Sequence, residues 1–139
     1  MCNDRVNAEG YPDPTCYAAL SKVMREAKLA FRPLVYICSP YRGDEVNNAM
    51  KAQYYCRFAV EEGRLPIAPH IYFPQFLSDE KADERELALF MNFILLGKCH
   101  ELWCFGKAIS EGMQQELERA KKYGKVIRYF TDDLEEVER

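Results

Sequence analysis

Four short apolar runs, each bounded by residues that break regular structure, constrain the fold of this chain most strongly. Uninterrupted apolar runs of this length are typical of strands that are buried on both faces of a parallel sheet. Segments with helical periodicity lie between them, and this alternation predicts an α/β domain whose parallel sheet is covered by helices on both sides. The predicted strands are 34–38, 65–68, 100–105 and 126–130.

The segments between the runs carry signals that start and stop helices. Asp44 can cap a helix that ends near Gly63, and Ser110 can cap another over residues 111–123. A strongly apolar helix is predicted over 84–97, and the acidic tail can add a short one. The apolar face predicted for the helix after Asp44 comprises Val46, Ala49, Met50, Tyr54, Phe58 and Ala59.

Two stretches stand outside this pattern. Residues 1–33 are predicted to form an N-terminal extension with one helix over 15–30, so that the α/β domain comprises 34–139. The charged segment 78–86 has no face that suits a core, and we predict that it forms a mobile lid.

Length and charge narrow the possible functions. The 139 residues suit a single core, and the net charge of −3 argues against a nucleic-acid polymer as partner. No apolar run is long enough to span a bilayer, and the N-terminus lacks the pattern of a signal peptide. We therefore expect a cytoplasmic protein that does not act at a membrane.

The six cysteines do not indicate a metal site. The chain has only two histidines, no C-x-x-C pair and no ligand spacing that suits zinc. In a reducing compartment such cysteines are expected to be small buried hydrophobic residues. Cys38 borders a polar segment, but no base adjoins it in the sequence, which argues against a thiol nucleophile.

Three polar segments follow the ends of predicted strands, at residues 39–44, 69–70 and 106–112. In open parallel sheets, ligands bind outside the carboxyl ends of the strands, which lie at one edge of the sheet. We therefore expect these segments to converge on a single ligand site.

Glu116 is the strongest candidate for chemistry in this site. It lies about a turn and a half into the helix that follows Ser110, where a carboxylate could act on a bound sugar as nucleophile or base. The alternative is a solvated glutamate that pairs with Arg119, three residues further along the helix.

Other candidates also have two interpretations. Arg42 could bind a phosphate, or it could be a surface residue paired with Asp44 or Glu45. His70 could orient a ligand hydroxyl or base edge, or it could have only a structural role. Some of the nearby aromatic residues could form the walls of a nucleobase pocket: Tyr41, Tyr72, Phe73 and Phe76.

Residues 36–43, YICSPYRG, and the pattern S-x-G-x-x-x-E-L-x-R-A from Ser110 to Ala120 resemble the nucleoside 2-deoxyribosyltransferase superfamily. The resemblance covers roughly residues 34–130. The strings ICSPYRGD, APH and ELWxFGxxISxGMxxE are similar to those of a branch of uncharacterised, often phage-associated domains. The resemblance implies a flavodoxin- or Rossmann-like doubly wound parallel sheet of four to five strands. It also implies a homodimer or higher homo-oligomer in which neighbouring subunits complete the site.

The resemblance further implies an N-glycosidase or deoxyribosyltransferase that needs no cofactor. Members cleave the N-glycosidic bond of 2′-deoxynucleosides or of their 5′-monophosphates. The glutamate at the position of Glu116 attacks C1′ and forms a glycosyl-enzyme ester, from which a base or water takes the sugar. Tyr36 would help to position this nucleophile.

The residue at position 110 bears on the substrate. Superfamily members that act on free nucleosides have an aspartate there, whereas the 5′-monophosphate N-hydrolases resemble this chain in having a serine. A hydroxyl at a helix N-terminus accepts a phosphate that a carboxylate would repel, which favours a nucleotide. The predicted substrate-binding residues are Ser39, Pro40, Tyr41, Arg42, Gly43, His70, Ser110, Gly112 and Met113.

Asn92 departs from the family pattern. The superfamily has an aspartate at the matching place, which protonates the leaving base, and an amide cannot act as a general acid. Either a nearby carboxylate of Asp83, Glu84 or Glu86 replaces it, or the register differs, or the protein is a non-catalytic module that binds or senses nucleotides. A purely structural interaction domain would require the three polar segments to be coincidental.

Overall fold

The computed structural model describes residues 30–139, together with Lys22 and Arg25. The chain divides into two units, Met1–Phe31 and Arg32–Arg139, and only the second is described throughout. The helix predicted over 15–30 therefore lies almost entirely outside the described residues. The domain boundary after residue 33 stays a prediction.

Strands and helices alternate in the second unit as predicted. The long helices and the first four strands begin and end within two residues of their predicted bounds, and a 3₁₀ turn at Phe73–Gln75 follows the short second helix. No helix among the described residues is long and apolar enough to cross a membrane. The elements are β1 Leu34–Cys38, α1 Glu45–Glu61, β2 Leu65–Ile67, α2 Pro69–Tyr72, α3 Ala82–Lys98, β3 Glu101–Phe105, α4 Glu111–Lys122, β4 Val126–Phe130 and β5 Glu136–Val137.

The five strands form one sheet in the order β2-β1-β3-β4-β5. The first four strands are parallel, and β5 pairs with β4 in the antiparallel direction. Buried residues of α3 and α4 pack on one face of the sheet, and buried residues of α1 pack on the other. The predicted α/β fold with helices on both faces is confirmed, and its strand order is that of flavodoxin-like folds.

The acidic tail forms β5, so the short helix predicted there is wrong. A turn reverses the chain after β4, because the backbone N–H of Thr131 donates to the carbonyl of Glu135 at 2.8 Å and Leu134 takes a φ of 70°. Glu136 then lies beside Arg128, with an N–O distance of 2.7 Å. The ion pair and the two backbone pairings of β5 hold the tail as an edge strand.

The buried face of α1 also differs from the prediction. Its buried residues are Ala52, Tyr55 and Ala59, whereas Val46 and Met50 are 75% and 64% exposed. Both faces of this helix carry apolar residues, so periodicity alone does not decide between them. Contact with the sheet determines which face is buried, because the ring of Tyr55 stacks in parallel on Phe105 at a centroid distance of 4.2 Å.

Side-chain alternation along β1 determines what lies beneath each helix. Val35 and Ile37 belong to the core on the α1 side, whereas Tyr36 and Cys38 belong to the core on the side of α3 and α4. Tyr36 is fully buried. Its side chain therefore lies between the sheet and the helix that carries Glu116.

Candidate active site

A cleft of about 700 Å³ opens at the carboxyl ends of the parallel strands. The three polar segments predicted to converge all contribute to its walls, together with α3. Every predicted site residue except Tyr36 lines this cleft, and Tyr36 reaches it through Glu116. The predicted residues in the lining are Ser39, Pro40, Tyr41, Arg42, Gly43, His70, Asn92, Ser110, Gly112, Met113 and Glu116.

Glu116 belongs to the buried face of α4 and is only 8% exposed. Its Oε2 accepts a hydrogen bond of 2.6 Å from the hydroxyl of Tyr36 and a longer one of 3.5 Å from Nδ2 of Asn92. Arg119 points elsewhere, with its guanidinium 4.2 Å from the ring centroid of Phe93. The alternative of a solvated glutamate is therefore wrong.

Burial controls the charge of Glu116. Desolvation raises the pKa of its carboxyl to about 7, although hydrogen bonds from Tyr36, Cys38 and Asn92 lower it. A carboxylate that is weakly solvated, held by donors and exposed to a cleft on one side suits a nucleophile or a general base.

The thiol of Cys38 donates to the backbone of α4 near Glu116. Its Sγ is 3.9 Å from the carbonyl oxygen of Met113. A hydrogen bond with Cys104 and burial raise the pKa of the Cys38 thiol well above its usual value. The thiol is therefore protonated, which argues against a nucleophilic role. In the part of the chain that the structure describes, no group of three or more His, Cys, Asp or Glu side chains could hold a metal ion.

The loop after β1 presents a fixed backbone to the cleft. Nδ2 of Asn48 donates to the carbonyls of Tyr41 and Arg42 at 3.0 and 3.2 Å. Gly43 has a φ of 101°, which only glycine adopts without strain, and Asp44 caps α1 by accepting from the N–H of Asn47. These contacts hold the backbone around Arg42 at the mouth of the cleft.

The start of α4 forms the opposite wall of the cleft. Oγ of Ser110 accepts from the backbone N–H of Met113 at 3.2 Å, which confirms the predicted N-cap. The N–H groups of Glu111 and Gly112 come earlier in the first turn, where a helix provides no partner for them. Since Gly112 has no Cβ and both residues line the cleft, an anion can approach this turn closely.

Arg42 pairs with Asp79 and not with Asp44 or Glu45, the partners considered from the sequence. Its Nε lies 2.7 Å from Oδ2 of Asp79, and the arginine side chain is 70% exposed. The pair joins the loop after β1 to the segment that precedes α3, across the mouth of the cleft.

The charged segment 78–86 is partly helical, because α3 begins at Ala82. Oε1 of Glu84 accepts from the N–H of Ser78 at 2.6 Å, and this contact ties the segment to the first turn of α3. Ser78, Asp79 and Arg85 line the cleft. The segment therefore has the position of a lid, and its mobility stays a prediction.

His70 contacts the loop after β1 by a hydrogen bond of 2.9 Å between its Nε2 and Oγ of Ser39. Burial lowers the pKa of His70 to about 4, so the ring is neutral at pH 7. Phe73 and Tyr41 line the cleft as predicted aromatic walls. Tyr72 and Phe76 are more than half exposed and do not belong to its lining.

Sequence reasoning missed much of the contribution of α3. Arg85, Ala88 and Leu89 line the cleft on the same helical face as Asn92. Steps of three or four residues back from Asn92 would have identified them.

Of the carboxylates considered as substitutes for the missing aspartate, Glu84 and Glu86 line the cleft. Oδ1 of Asn92 is buried without a hydrogen-bond partner.

Comparison with known proteins agrees with this architecture. A family model described as a domain of unknown function (DUF7768) matches residues 33–130. Among solved structures, the chain is similar to a 2-deoxyribosyltransferase from the psychrotolerant bacterium Bacillus psychrosaccharolyticus. The two share 16% sequence identity with a TM-score of 0.55, over 70% of this chain and 72% of that one, and this likeness shows a common fold. A search of curated proteins gave no match.

Proposed function

The chain belongs to the family of the domain of unknown function DUF7768, and we propose that it cleaves or transfers at the N-glycosidic bond of a 2′-deoxynucleoside 5′-monophosphate. Glu116 is the nucleophile in this proposal, Tyr36 positions it, and no cofactor takes part. The observation that carries the proposal is the buried 2.6 Å hydrogen bond from Tyr36 to a carboxylate that also lines the cleft.

The first step forms a bond between a carboxylate oxygen of Glu116 and C1′ of the sugar. The C1′–N bond breaks and its electron pair leaves with the base, which either takes up a proton from Glu84 or Glu86 or departs as an anion. Tyr36 and Asn92 both donate to Oε2, which leaves Oε1 as the attacking atom. The transition state resembles an oxocarbenium ion, as in retaining glycoside hydrolysis.

The second step releases the sugar from Glu116. Water attacks C1′, loses a proton and displaces the carboxylate, which gives 2-deoxyribose 5-phosphate. In the transfer reaction, a nitrogen of a second base attacks in place of water. Because the pKa of Glu116 is raised to about 7, its carboxylate can accept a proton at neutral pH once it is free.

The positions of Arg42 and of the first turn of α4 favour a substrate that carries a phosphate, and not a free hydroxyl, at its 5′ position. Arg42 can offer its Nη atoms to a phosphate, because Asp79 contacts Nε. The N–H groups at Glu111 and Gly112 offer a second contact from the opposite wall. The carboxylate of Glu111 opposes an anion there, so comparing a nucleotide with its nucleoside tests this assignment directly.

Asn92 supports a second candidate, a module that binds nucleotides without cleaving them. An amide 3.5 Å from the nucleophile can donate to the carboxylate but cannot protonate a leaving base. In the enzymatic proposal, Glu84 or Glu86 supplies that proton, or the base leaves as an anion. The Asn92→Asp variant separates these cases, because it restores an acid at the position where the superfamily has one.

We also propose that the protein forms a homodimer or a higher homo-oligomer through α3. Leu87, Phe90 and Ile94 lie on one face of this helix and are 47%, 61% and 45% exposed. Glu86 and Leu89 line both the cleft and the adjoining groove beside this face, so a second copy there would border the site. Light scattering of the wild type and of Phe90→Glu tests this, since a monomeric wild type would refute it.

The covalent intermediate provides the test of the proposed function. Nucleotides that carry 2′-fluorine should slow the release of the sugar, because fluorine destabilises an oxocarbenium-like transition state. Intact-protein mass spectrometry should then show a glycosyl adduct, peptide mapping should locate it on Glu116, and Glu116→Gln should show none. An adduct on another residue would remove Glu116 from the mechanism. Thermal stabilisation by nucleotides with neither adduct nor base release, even in Asn92→Asp, would favour the binding module.

A further inference from the structure

A second cleft, of about 530 Å³, opens at the same edge of the sheet. Its walls come from α1 and from the loops that follow β1, β3 and β4. Ser39 and Pro40 line both this cleft and the candidate active site, so the two cavities share the loop after β1 as a common wall. The second cleft therefore also lies where open parallel sheets bind ligands, and its volume is that of a small-molecule site.

Two lysines supply the cationic groups of this cleft, whose lining also carries the carboxylates of Asp132, Asp133 and Glu135. Lys51 extends from α1 and Lys107 from the loop after β3, and both are exposed. Within the described residues, neither ammonium group forms an ion pair with a carboxylate. Unpaired ammonium groups that share a cavity are suited to a phosphate group.

The loop after β4 supplies carboxylates to the same cleft. Burial and, to a smaller extent, the negative charge of Asp132 raise the pKa of Tyr55 to about 12, so Asp132 acts on the hydroxyl of this buried tyrosine. A Cβ at Gly106, which has a φ of 94°, would lie only 3.1 Å from Oδ1 of Asp132, so the absence of a side chain permits this approach. Asp133 lines the cleft beside Asp132. Carboxylates at the end of a strand in such folds accept hydrogen bonds from ribose hydroxyls.

We propose that the second cleft binds the part of the substrate that extends beyond its 5′-phosphate, and that the preferred substrate is a pyrophosphate-linked dinucleotide. This inference rests on the proposed function for the orientation of the first nucleotide. Lys107 lies three residues before Ser110 in the loop that leads to α4. Residues of this one loop therefore line both clefts and lie near both phosphates of the substrate. The second phosphate contacts Lys51 and Lys107, and the second ribose contacts Asp132 and Asp133.

Binding measurements test this inference apart from catalysis. The four 2′-deoxynucleoside 5′-monophosphates and the matching dinucleoside pyrophosphates are titrated into the full chain by calorimetry. The wild type should bind a dinucleoside pyrophosphate at least about tenfold more tightly than the monophosphate with the same base, as one added charged contact predicts. The double variant Lys51→Gln, Lys107→Gln should lose this difference and keep its affinity for the monophosphate. The double variant Lys121→Gln, Lys122→Gln, which removes the same two charges in the last turn of α4, should behave as the wild type.

The outcomes distinguish the second cleft from the proposed chemistry. Equal affinities of the wild type for both ligand classes would overturn the inference while leaving monophosphate cleavage possible. A double variant that weakens both classes equally would also overturn it. Selective, lysine-dependent binding of the dinucleotide without release of base would support the second cleft and count against Glu116 as a nucleophile.

Discussion

The hydrogen bond from Tyr36 to Glu116 gives the account its most quantitative prediction. The Tyr36→Phe substitution removes only the hydroxyl that donates to Oε2 at 2.6 Å and keeps the ring in the core. Because this donor favours the ionised carboxylate, its loss should raise the pKa of Glu116 further above 7.

The size of the shift follows from the strength of the bond. A hydrogen bond to a charged group contributes about 1.5–3 kcal/mol, and one pKa unit corresponds to about 1.4 kcal/mol, so the shift should be about 1–2 units. At pH 7 the ionised fraction of Glu116 would then fall from about one half to between roughly 1% and 10%. We expect the rate of base release at pH 7 to fall by roughly 5- to 50-fold.

The pH profile distinguishes this cause from a general loss of structure. In Tyr36→Phe the rising limb of the plot of rate against pH should shift to higher pH by about 1–2 pH units, with much of the rate recovered near pH 9. Ile37→Val, a change in the buried core on the opposite face of the sheet, serves as the control and should leave the limb in place. An unchanged limb in Tyr36→Phe would refute the role assigned to the hydroxyl.

Three further predictions concern charge and backbone. Folding raises the pKa of Glu116 from 4.5 to about 7. Below pH 4.5 the carboxyl is protonated in both the folded and the unfolded state, so the free energy of unfolding is not reduced there. As the pH rises through 7 the buried carboxyl has to ionise, and the free energy of unfolding falls. Glu116→Gln should therefore be up to about 3 kcal/mol more stable than the wild type at pH 8 and equal to it at pH 4, as urea denaturation would reveal. Asp79→Asn should tighten 5′-monophosphate binding a few-fold, whereas Arg42→Gln should weaken it about tenfold, with nucleoside binding unchanged in calorimetry. Gly106→Ala should lower the free energy of unfolding by about 1–2 kcal/mol because of its positive φ and the nearby Asp132, and an unchanged melting temperature would contradict that.

The sequence was sufficient to predict the four parallel strands and the edge of the sheet at which the cleft lies. Short apolar runs followed by polar residues predict both the parallel strands and the edge at which their loops meet, and the cleft lies there. The partner of Glu116 was suggested only by the family resemblance, because Tyr36 lies 80 residues away and no local pattern connects the two.

Other features depend on tertiary contacts that no sequence pattern specifies. The buried face of α1 follows from the stacking of Tyr55 on Phe105, since the exposed face of that helix is equally apolar. The pairing of Arg42 with Asp79 requires two loops to lie on opposite sides of a cleft. Local sequence instead suggested Asp44 and Glu45, which are closer along the chain.

Chromatographic detection of free base tests directly whether Glu116 cleaves the N-glycosidic bond. The wild type and Glu116→Gln are each incubated with the four 2′-deoxynucleoside 5′-monophosphates at pH 7 and pH 8. We expect the wild type to release base from at least one nucleotide and Glu116→Gln, which keeps the shape of the side chain, to release none. Equal release by both proteins, or no release by the wild type from any of the four, would contradict this expectation.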